Sequence, residues 1–411
     1  MKIGCRFVLL LAVISIASIR CVNESYSTLI HASDSLPQSA PWDLEQLSKA
    51  PEFEWDEGAN VRSLYYEGEP YEGRKTRVFA YYATPGTLVG DPAQDNNLPA
   101  IVLVHGGGGT AFKEWAQLWA ERGYAAIAMD LAGYGPNRQR LEDGGPDQQD
   151  SVKFGGINKP LADQWTYHAV ANVIRAHSLV RSFSEVNSNQ TSVIGISWGG
   201  YLTCIVAGLD NRFKAAVPIY GCGFLHENSY WLFEFEKMST EDKKKWIQYW
   251  DPSQYVGSAT MPILFVNGGT DFAYPPDSHA KTYELVQSPK NIRFVPDMEH
   301  GHIFDRPKEI EVFIDHHLKD GIPLPKITLL DVGEKYMTAK VKSETKLIAA
   351  KLYYTLDTLP GDPKSRTWLK QSATVDQHEI TTKCPPEDAQ IWFLTVTDER
   401  ELMVSSTLVF R

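Results

Sequence analysis

The chain has 411 residues, which is more than one typical hydrophobic core holds, so the length predicts two domains. Hydrophobic residues make up 43% of the chain and charged residues 22%, a balance that is ordinary for a soluble globular protein. The formal net charge of −11 argues against a surface that binds nucleic acid or another polyanion.

The N-terminus has the pattern of a secretory signal peptide. Lys2 and Arg6 form a short positive region, and the apolar run over residues 7–17 is too short to span a bilayer. We therefore predict a signal peptide over residues 1–22 and an N-terminal extension over residues 23–60. An N-terminal strand or core helix is the alternative to the signal peptide.

Cys21 raises the alternative of a lipoprotein, but Arg20 in front of it is a poor fit because such cysteines follow small residues. No segment after residue 22 is long and apolar enough to span a membrane. The sequence therefore predicts an exported, soluble protein that is secreted or periplasmic.

Strand patterns alternate with helix patterns from residue 100 to residue 318. Short apolar runs there suit parallel strands that are buried on both faces, and amphipathic segments join them. This alternation predicts an α/β fold in which helices flank a mostly parallel sheet. The predicted strands are 61–66, 76–82, 100–104, 124–129, 193–194, 215–220, 263–266 and 292–295, and the predicted helices are 112–122, 164–183, 201–209, 277–285 and 308–318.

Glycine and proline interrupt this alternation at residues 321–325. This boundary predicts an α/β domain over residues 61–320 and an all-β sandwich over residues 326–411. The sandwich follows from apolar residues that recur with a period of two over 337–341, 347–355, 391–396 and 403–410.

Residues 191–201 read T-S-V-I-G-I-S-W-G-G-Y, which is the pattern G-x-S-x-G between a strand and a helix. A serine nucleophile needs a tight, strained turn, and Gly195 and Gly199 have no side chains to clash where strand and helix meet. Ser197 is therefore the candidate nucleophile, and the Trp198 N–H at the helix N-terminus is a candidate oxyanion donor. The alternative is a chance glycine-rich turn.

A nucleophilic serine needs a base, and the base needs an orienting group. Asp271 lies in the loop after strand 263–266, where an orienting carboxylate belongs in a fold with the chain order Ser, Asp, His. The alternative for Asp271 is a turn aspartate that caps the next helix, although Asp277 and Ser278 are better placed for capping.

The loop after the next strand reads P-D-M-E-H-G-H and contains the candidate base. Downstream of Asp271, only His300 and His302 lie in a loop directly after a sheet strand. His300 has the usual offset from its strand, so we predict His300 as the general base and keep His302 as the alternative. With Glu299 and Asp297 the pair could instead chelate a metal, but the chain has no H-E-x-x-H or further ligand cluster, so no metal or cofactor is predicted.

The strand that ends at Val104 continues into H-G-G-G-G, residues 105–109. Backbone without side chains can turn its amides towards a carbonyl at Ser197, so Gly107 and Gly108 are the candidates for the second oxyanion donor. A glycine run that cradles phosphate is the alternative, but the G-K-S/T element of such sites is missing.

The segment 222–259 is unusually aromatic, and we predict a helical cap inserted into the α/β domain. Most of its aromatic residues are expected to form the cap's own core. We place Tyr230 and Trp231 in the substrate cleft, where they would stack on a sugar ring or contact an apolar acyl group.

Taken together, the motifs H-G-G-G-G, D-L-A-G-Y-G, G-I-S-W-G-G-Y, G-G-T-D and M-E-H-G-H resemble those of the α/β-hydrolases over residues 75–320. The chain is most similar to the acetylxylan esterase and dienelactone hydrolase-like proteins, which grade into the prolyl oligopeptidase family. The resemblance implies an α/β-hydrolase fold, with Ser197 as nucleophile and Trp198 N–H in the oxyanion hole. It also implies Asp271 and a histidine of loop 300–302 as partners of the serine. The resemblance to the peptidases is weaker, since their N-terminal β-propeller is not recognised.

The sequence therefore predicts a secreted serine esterase that acts on a small-molecule or polysaccharide ester, with an acetylated polysaccharide as the expected substrate. One alternative is a prolyl oligopeptidase-like serine peptidase. The other is a non-catalytic carbohydrate-binding protein with the sandwich as its binding module. No nucleic-acid partner is expected, and the oligomeric state is left open.

Overall fold

The structure, a computed structural model, describes residues 37, 40–56, 58, 60–358 and 363–411. The predicted signal peptide, Cys21 and the predicted extension up to residue 36 lie outside the described residues. No helix in the described part of the chain is both long and apolar enough to cross a membrane.

A mixed β-sheet forms the centre of the α/β part. The strands in chain order are β1 (Phe53–Trp55), β2 (Arg62–Glu67), β3 (Arg77–Ala83), β4 (Leu98–Val104), β5 (Ala125–Met129), β6 (Val186–Ile196), β7 (Ala215–Ile219), β8 (Ile263–Gly268) and β9 (Lys290–Val295). Their spatial order is β1-β2-β3-β5-β4-β6-β7-β8-β9. The strands from β5 to β9 along this order are parallel, so their carboxyl ends lie at one edge of the sheet.

The continuous apolar runs form the interior strands, as their composition predicts. β5 and β7 are buried at every position, and β4 is buried from its second residue on. β6 is longer than predicted, because a polar, partly exposed stretch precedes its apolar half. The predicted alternation between residues 100 and 318 is confirmed.

Ten α-helices occur among the described residues. Helices α5 and α6 pack against each other, and α3, α5 and α6 each pack against strands of the sheet. The helices are α1 (Leu44–Leu47), α2 (Pro85–Leu88), α3 (Lys113–Glu121), α4 (Asp150–Gly155), α5 (Trp165–Val180), α6 (Trp198–Leu209), α7 (Leu232–Glu236), α8 (Thr240–Trp250), α9 (Pro276–Leu285) and α10 (Glu309–Lys319).

Two long segments follow parallel strands, one after β7 and one after β5. The predicted cap, 222–259, contains α7 and α8. The second segment, 130–164, lies between β5 and α5 and contains α4. The sequence analysis did not single out this second segment.

The C-terminal part consists of antiparallel strands: β10 (Lys326–Val332), β11 (Tyr336–Lys342), β12 (Leu347–Thr355), β13 (Leu369–Asp376), β14 (Glu379–Lys383), β15 (Ile391–Asp398), β16 (Met403–Ser405) and β17 (Val409–Phe410). Strands β10, β13 and β14 were not predicted. β13 and the outward side of β14 are mostly exposed and polar, so the apolar alternation in these two strands is weak. The prediction of one strand over 403–410 is wrong. The segment forms two strands, β16 and β17, because the strand is interrupted at Ser406. The Ser406 hydroxyl accepts the Leu394 amide of β15.

The C-terminal strands contact the edge of the α/β sheet. Ser405 of β16 pairs with Ile292 of β9, and the Ser405 hydroxyl accepts the Phe294 amide at 3.1 Å. In addition, Glu309 at the start of α10 accepts the Met403 amide at 2.6 Å. These bonds place the C-terminal strands beside the β9 end of the sheet.

Candidate active site

Ser197 lies on the turn between β6 and α6, with φ 59° and ψ −120°. A residue with a Cβ atom rarely adopts such a positive φ, so the turn is strained. A Cβ on Gly195 would lie 2.1 Å from the Gly199 carbonyl oxygen, and one on Gly199 would lie 2.0 Å from the Val104 carbonyl oxygen, so the turn requires glycine at both positions. The Ser197 amide donates to the Ile219 carbonyl of β7 at 2.8 Å, which fixes the turn to the sheet.

His300 lies between Ser197 and Asp271. Its Nε2 atom is 2.8 Å from Ser197 Oγ, and its Nδ1 atom is 2.8 Å from Asp271 Oδ2. Because an ionised carboxylate only accepts, Nδ1–H donates to Asp271, and Nε2 is left to accept the serine proton. The structure thus brings together the predicted nucleophile, acid and base, each from the loop after a parallel strand.

Asp271 is fixed by hydrogen bonds on both carboxylate oxygens. Oδ1 accepts the amides of Ala273 (2.7 Å) and Tyr274 (2.9 Å), while Oδ2 accepts from His300. The prediction that Asp277 or Ser278 caps the next helix is wrong. Pro275 holds the N-cap position of α9 without a side-chain bond, because Pro276 already begins the helix.

His302 holds the glycine loop and does not contact Ser197. Its Nε2 atom accepts the Gly106 amide at 3.1 Å, and burial lowers the pKa of His302 to about 4, so the ring is neutral. His105 fixes the same loop from inside: Nδ1 lies 2.7 Å from the Gly106 carbonyl oxygen, and Nε2 accepts the Leu131 amide at 3.0 Å. Burial lowers the pKa of His105 to about 3.

The glycine loop contacts the nucleophile turn directly. A Cβ on Gly106 would lie 2.8 Å from the Ser197 Cβ, and one on Gly107 would lie 2.7 Å from Cδ1 of Trp198. Gly107 and Gly108 line the same cavity as Ser197 and Trp198. The Trp198 amide is the first of α6, and neither it nor the Gly107 amide has an acceptor among the residues described. Both amides are therefore available to an oxyanion at Ser197.

Three aromatic rings surround His300. The ring centroids of Tyr220, Phe272 and Tyr274 lie 4.6, 5.2 and 6.0 Å from that of the imidazole. Tyr220 also donates its hydroxyl to the Glu299 carbonyl at 2.9 Å, which fixes the loop that carries His300. Within the described ranges, no group of three or more His, Cys, Asp or Glu side chains is placed to hold a metal ion.

Ser197 opens on a cavity of about 610 Å³. Tyr230 and Trp231, the predicted cleft residues, both line it. Trp231 is 5% exposed and forms part of the inner wall, whereas Tyr230 is 52% exposed and lies at the rim. Phe235, Trp246, Trp250 and Tyr255 of the cap are buried, and Phe235 packs against Trp246. The expected separate cap core is not found, because Trp246 stacks on Phe154 of α4 and both Trp250 and Tyr255 contact Trp42, which joins these rings to the main core.

One wall of the cavity comes from residues 132–153, which the sequence analysis missed. Lys153 of α4 is buried there, with its Nζ atom 3.9 Å from the centroid of the Trp198 ring and 2.8 Å from Asp150 Oδ1. Burial lowers the pKa of Lys153 to about 8. Gln148 is buried as well, and its amide has no hydrogen-bond partner in the described part of the chain. The only available signal was the length of this segment, since loops of that length in compact domains are often functional.

A second hydrogen-bonded series, Thr191–His177–Asp210, starts at Thr191 in the middle of β6. His177 Nδ1 is 2.7 Å from Asp210 Oδ2, and its Nε2 is 2.8 Å from the Thr191 hydroxyl. All three residues are buried. The series ties α5 to β6 and to the end of α6. It differs from the series at Ser197 because all three of its residues are buried, whereas Ser197 and His300 line a cavity.

The sequence matches the model of one protein family, described as acetyl xylan esterase (AXE1), over residues 34–317. Among curated proteins it is similar to acetyl esterase Axe7A of Xylanibacter ruminicola, with 23% identity over 222 residues that cover 51% of this chain and 51% of that protein. It is also similar to the uncharacterized peptidase YuxL of Bacillus subtilis, with 27% identity over 267 residues that cover 55% of this chain and 36% of that protein. The chain thus spans about half the length of the first relative and less of the second.

Among solved structures, the fold is similar to that of the acetyl xylan esterase from Paenibacillus sp. R4. The TM-score is 0.56 at 23% sequence identity, and the match covers 67% of this chain and 92% of that chain. The likeness confirms the predicted α/β-hydrolase class of fold for the part that contains the mixed sheet.

Proposed function

We propose that this chain, which belongs to the acetyl xylan esterase family, is a serine esterase that removes acyl groups from esterified carbohydrates. The observation that carries the proposal is the hydrogen-bonded series Ser197–His300–Asp271 at the mouth of a cavity. Membership of an esterase family supports esters over amides as substrates. The intact series argues against a non-catalytic carbohydrate-binding protein.

In the proposed acylation, Ser197 Oγ attacks the ester carbonyl carbon while His300 Nε2 takes the hydroxyl proton. Asp271 accepts the Nδ1–H bond throughout and stabilises the imidazolium that forms. The Trp198 and Gly107 amides donate to the carbonyl oxygen as it becomes negative. When the bond to the alcohol oxygen breaks, His300 donates its proton to that oxygen, and the acyl group stays on Ser197.

Deacylation reverses these roles with water in place of the alcohol. His300 takes a proton from the water as its oxygen attacks the acyl carbon, and the same two amides bind the second oxyanion. The bond to Ser197 Oγ then breaks, the serine regains its proton from His300, and the carboxylic acid leaves. The reaction needs no metal ion or cofactor.

The substrate that we propose is an acetylated sugar residue of a polysaccharide. Family membership and the similarity to a protein named acetyl esterase support this choice. The cavity is consistent with it, because its wall combines the aromatic rings of Tyr230 and Trp231 with the polar side chains of Gln148 and Lys153.

We also propose that the protein is exported, as its N-terminal sequence predicts, to a secreted or periplasmic location. Residues 61–320 form the catalytic domain in this proposal, with a cap over 222–259. Residues 326–411 form an accessory β-sandwich in this proposal. Two groups of antiparallel strands, one around β12 and β15 and one around β10 and β11, support this assignment.

The esterase proposal is tested with Ser197→Ala and a chromogenic acetyl ester. Turnover by the variant should fall to the background rate, and undiminished turnover would refute the assignment of Ser197. A serine peptidase is the second candidate, because of the similarity to a protein named as a peptidase. Release of a proline-linked chromophore faster than hydrolysis of the acetyl ester would favour the peptidase.

A further inference from the structure

One buried side chain on the cavity wall lacks hydrogen bonds. Gln148 lines the cavity onto which Ser197 opens, and it is only 6% exposed. Neither its amide nitrogen nor its amide oxygen has a partner in the part of the chain that the structure describes. Buried amides are almost always hydrogen-bonded, because leaving one unpaired costs free energy. Gln148 therefore offers both a donor and an acceptor to a group that enters the cavity.

The backbone on both sides of Gln148 is fixed. The Asp147 carboxylate accepts the Tyr134 hydroxyl at 3.0 Å and the Gln149 amide at 3.1 Å. Gln149 is the N-cap of α4, and its carbonyl accepts the Lys153 amide at 3.0 Å. A ligand of Gln148 therefore does not have to order this segment when it binds, which lowers the entropic cost of binding.

The charged side chains near Gln148 do not select an ion. Among the residues described, the cavity lining contains two cations, Arg138 and Lys153, and two carboxylates, Asp147 and Asp150. Lys153 is already paired with Asp150 at 2.8 Å. A charged ligand group would therefore meet a like charge as well as an opposite one. This balance favours a neutral polar group on the ligand.

The unpaired amide of Gln148 fits a hydroxyl group. An amide donates through its nitrogen and accepts through its oxygen, and an alcohol hydroxyl also donates and accepts. An ester or ether oxygen only accepts, so it would leave the Gln148 oxygen unpaired. In the proposed substrate the acetyl group carries no hydroxyl, whereas the sugar that bears it does.

We infer that Gln148 is a specificity-determining residue that binds a free hydroxyl group on the alcohol half of the ester. The inference rests on the proposed function. It implies that the protein prefers a partly acetylated sugar to one whose other hydroxyl groups are blocked or absent. A water molecule that stays in place when the substrate binds is the rival partner of the Gln148 amide.

The first test uses two matched esters. One is a monoacetylated methyl xyloside, and the other is the same monoacetate with its hydroxyl groups replaced by hydrogen. The parent should hydrolyse the hydroxyl-bearing ester with a kcat/KM about tenfold higher or more, because the analogue leaves the Gln148 amide unpaired. In Gln148→Leu the ratio of the two kcat/KM values should fall about fivefold or more.

Gln117→Leu is the matched control for this substitution. Gln117 is exposed on α3 and does not line the cavity, so the ratio should stay as in the parent. The comparison in the parent holds even if Gln148→Leu does not fold. A parent without the preference, or a preference that folded Gln148→Leu keeps, would overturn the inference. Equal losses on both esters would mean that Gln148 serves structure alone, which overturns it as well.

The second test does not depend on turnover. Isothermal titration calorimetry on Ser197→Ala should give a Kd for the hydroxyl-bearing ester that is about fivefold lower or more than that for the analogue. The double variant Ser197→Ala/Gln148→Leu should bind both esters about equally. If neither ester is hydrolysed but the binding preference depends on Gln148, the proposed function fails and the hydroxyl site stands. If both are hydrolysed and neither Kd nor kcat/KM depends on the hydroxyl groups, the proposed function stands and the inference is wrong.

Discussion

The Nε2 atom of His300 lies 2.8 Å from the hydroxyl oxygen of Ser197, although 103 positions separate the two residues in the chain. The sheet explains this contact, because Ser197 follows β6, His300 follows β9, and parallel strands end at the same edge. His302, two positions later, binds the Gly106 amide instead. One loop therefore places one histidine at the Ser197 hydroxyl and a second at the glycine loop.

Replacing these two histidines should have very different effects. His300→Ala should lower kcat for a chromogenic acetyl ester by about a thousandfold or more, because the serine loses its base. His302→Ala should lower kcat only about tenfold, because it frees the Gly106 amide without touching the serine. Thermal unfolding of both variants shows whether they remain folded. A larger loss in folded His302→Ala than in folded His300→Ala would make His302, and not His300, the base.

The C-terminal strands should matter for catalysis through Trp368. Its Nε1–H donates to the Gly269 carbonyl at 3.2 Å, and Gly269 lies two residues before Asp271. Trp368→Phe keeps the packing against Phe294 but removes the donor, so kcat should fall about two- to tenfold while KM stays the same. Arg366 still donates to the same carbonyl, which limits the loss.

A suitable control is Trp392→Phe, since the Trp392 indole N–H has no hydrogen-bond partner in the described ranges. It should leave kcat unchanged. If Trp368→Phe also leaves kcat unchanged, the contact with Gly269 serves stability alone. The C-terminal strands then do not position the loop that carries Asp271.

The candidate nucleophile and the candidate orienting carboxylate could be located from sequence, because both are tied to local patterns. Ser197 lies in a turn whose glycines are required by close backbone contacts, and Asp271 directly follows an apolar strand. The choice of His300 over His302 rested only on its offset from the strand, and His302 stayed the alternative, since both follow the same strand and only the path of the loop separates them. That path depends on Gly106, a residue almost 200 positions away.

The parts that were missed lack a local signal. Residues 132–153 have no helical or strand period, and they reach the cavity only through the packing of a long connection. Strand β13 carries mainly polar, exposed side chains, so its hydrophobic pattern is weak. The bond between Trp368 and Gly269 joins two irregular segments 99 positions apart, and no pattern in either one indicates the other.

Buried histidines should make the fold sensitive to acid. His279 of α9 is fully buried, and burial lowers its pKa to about 3 from an ordinary value of about 6.5 in the unfolded chain. Between these values the unfolded chain binds the additional proton, so the stabilisation is complete above about pH 6.5 and is lost as the pH falls. The free energy of unfolding of the parent should therefore fall as the pH is lowered from about 7 to about 5. In His279→Leu this fall should be about 2 kcal/mol smaller.

Denaturant unfolding at the two pH values measures this difference. His378→Leu, which removes an exposed imidazole, is measured in parallel as the control. The same pH dependence in His279→Leu as in the parent would show that His279 is protonated in the fold.

Covalent labelling of the serine tests the central claim most directly. A fluorophosphonate probe reacts with a serine that a neighbouring base activates, and Ser197, His300 and Asp271 provide that arrangement. We predict that the folded protein takes up one equivalent of probe, that peptide mapping places it on Ser197, and that Ser197→Ala and His300→Ala take up none. A folded protein that is not labelled, or is labelled at another residue, would contradict the assignment of Ser197 as the nucleophile.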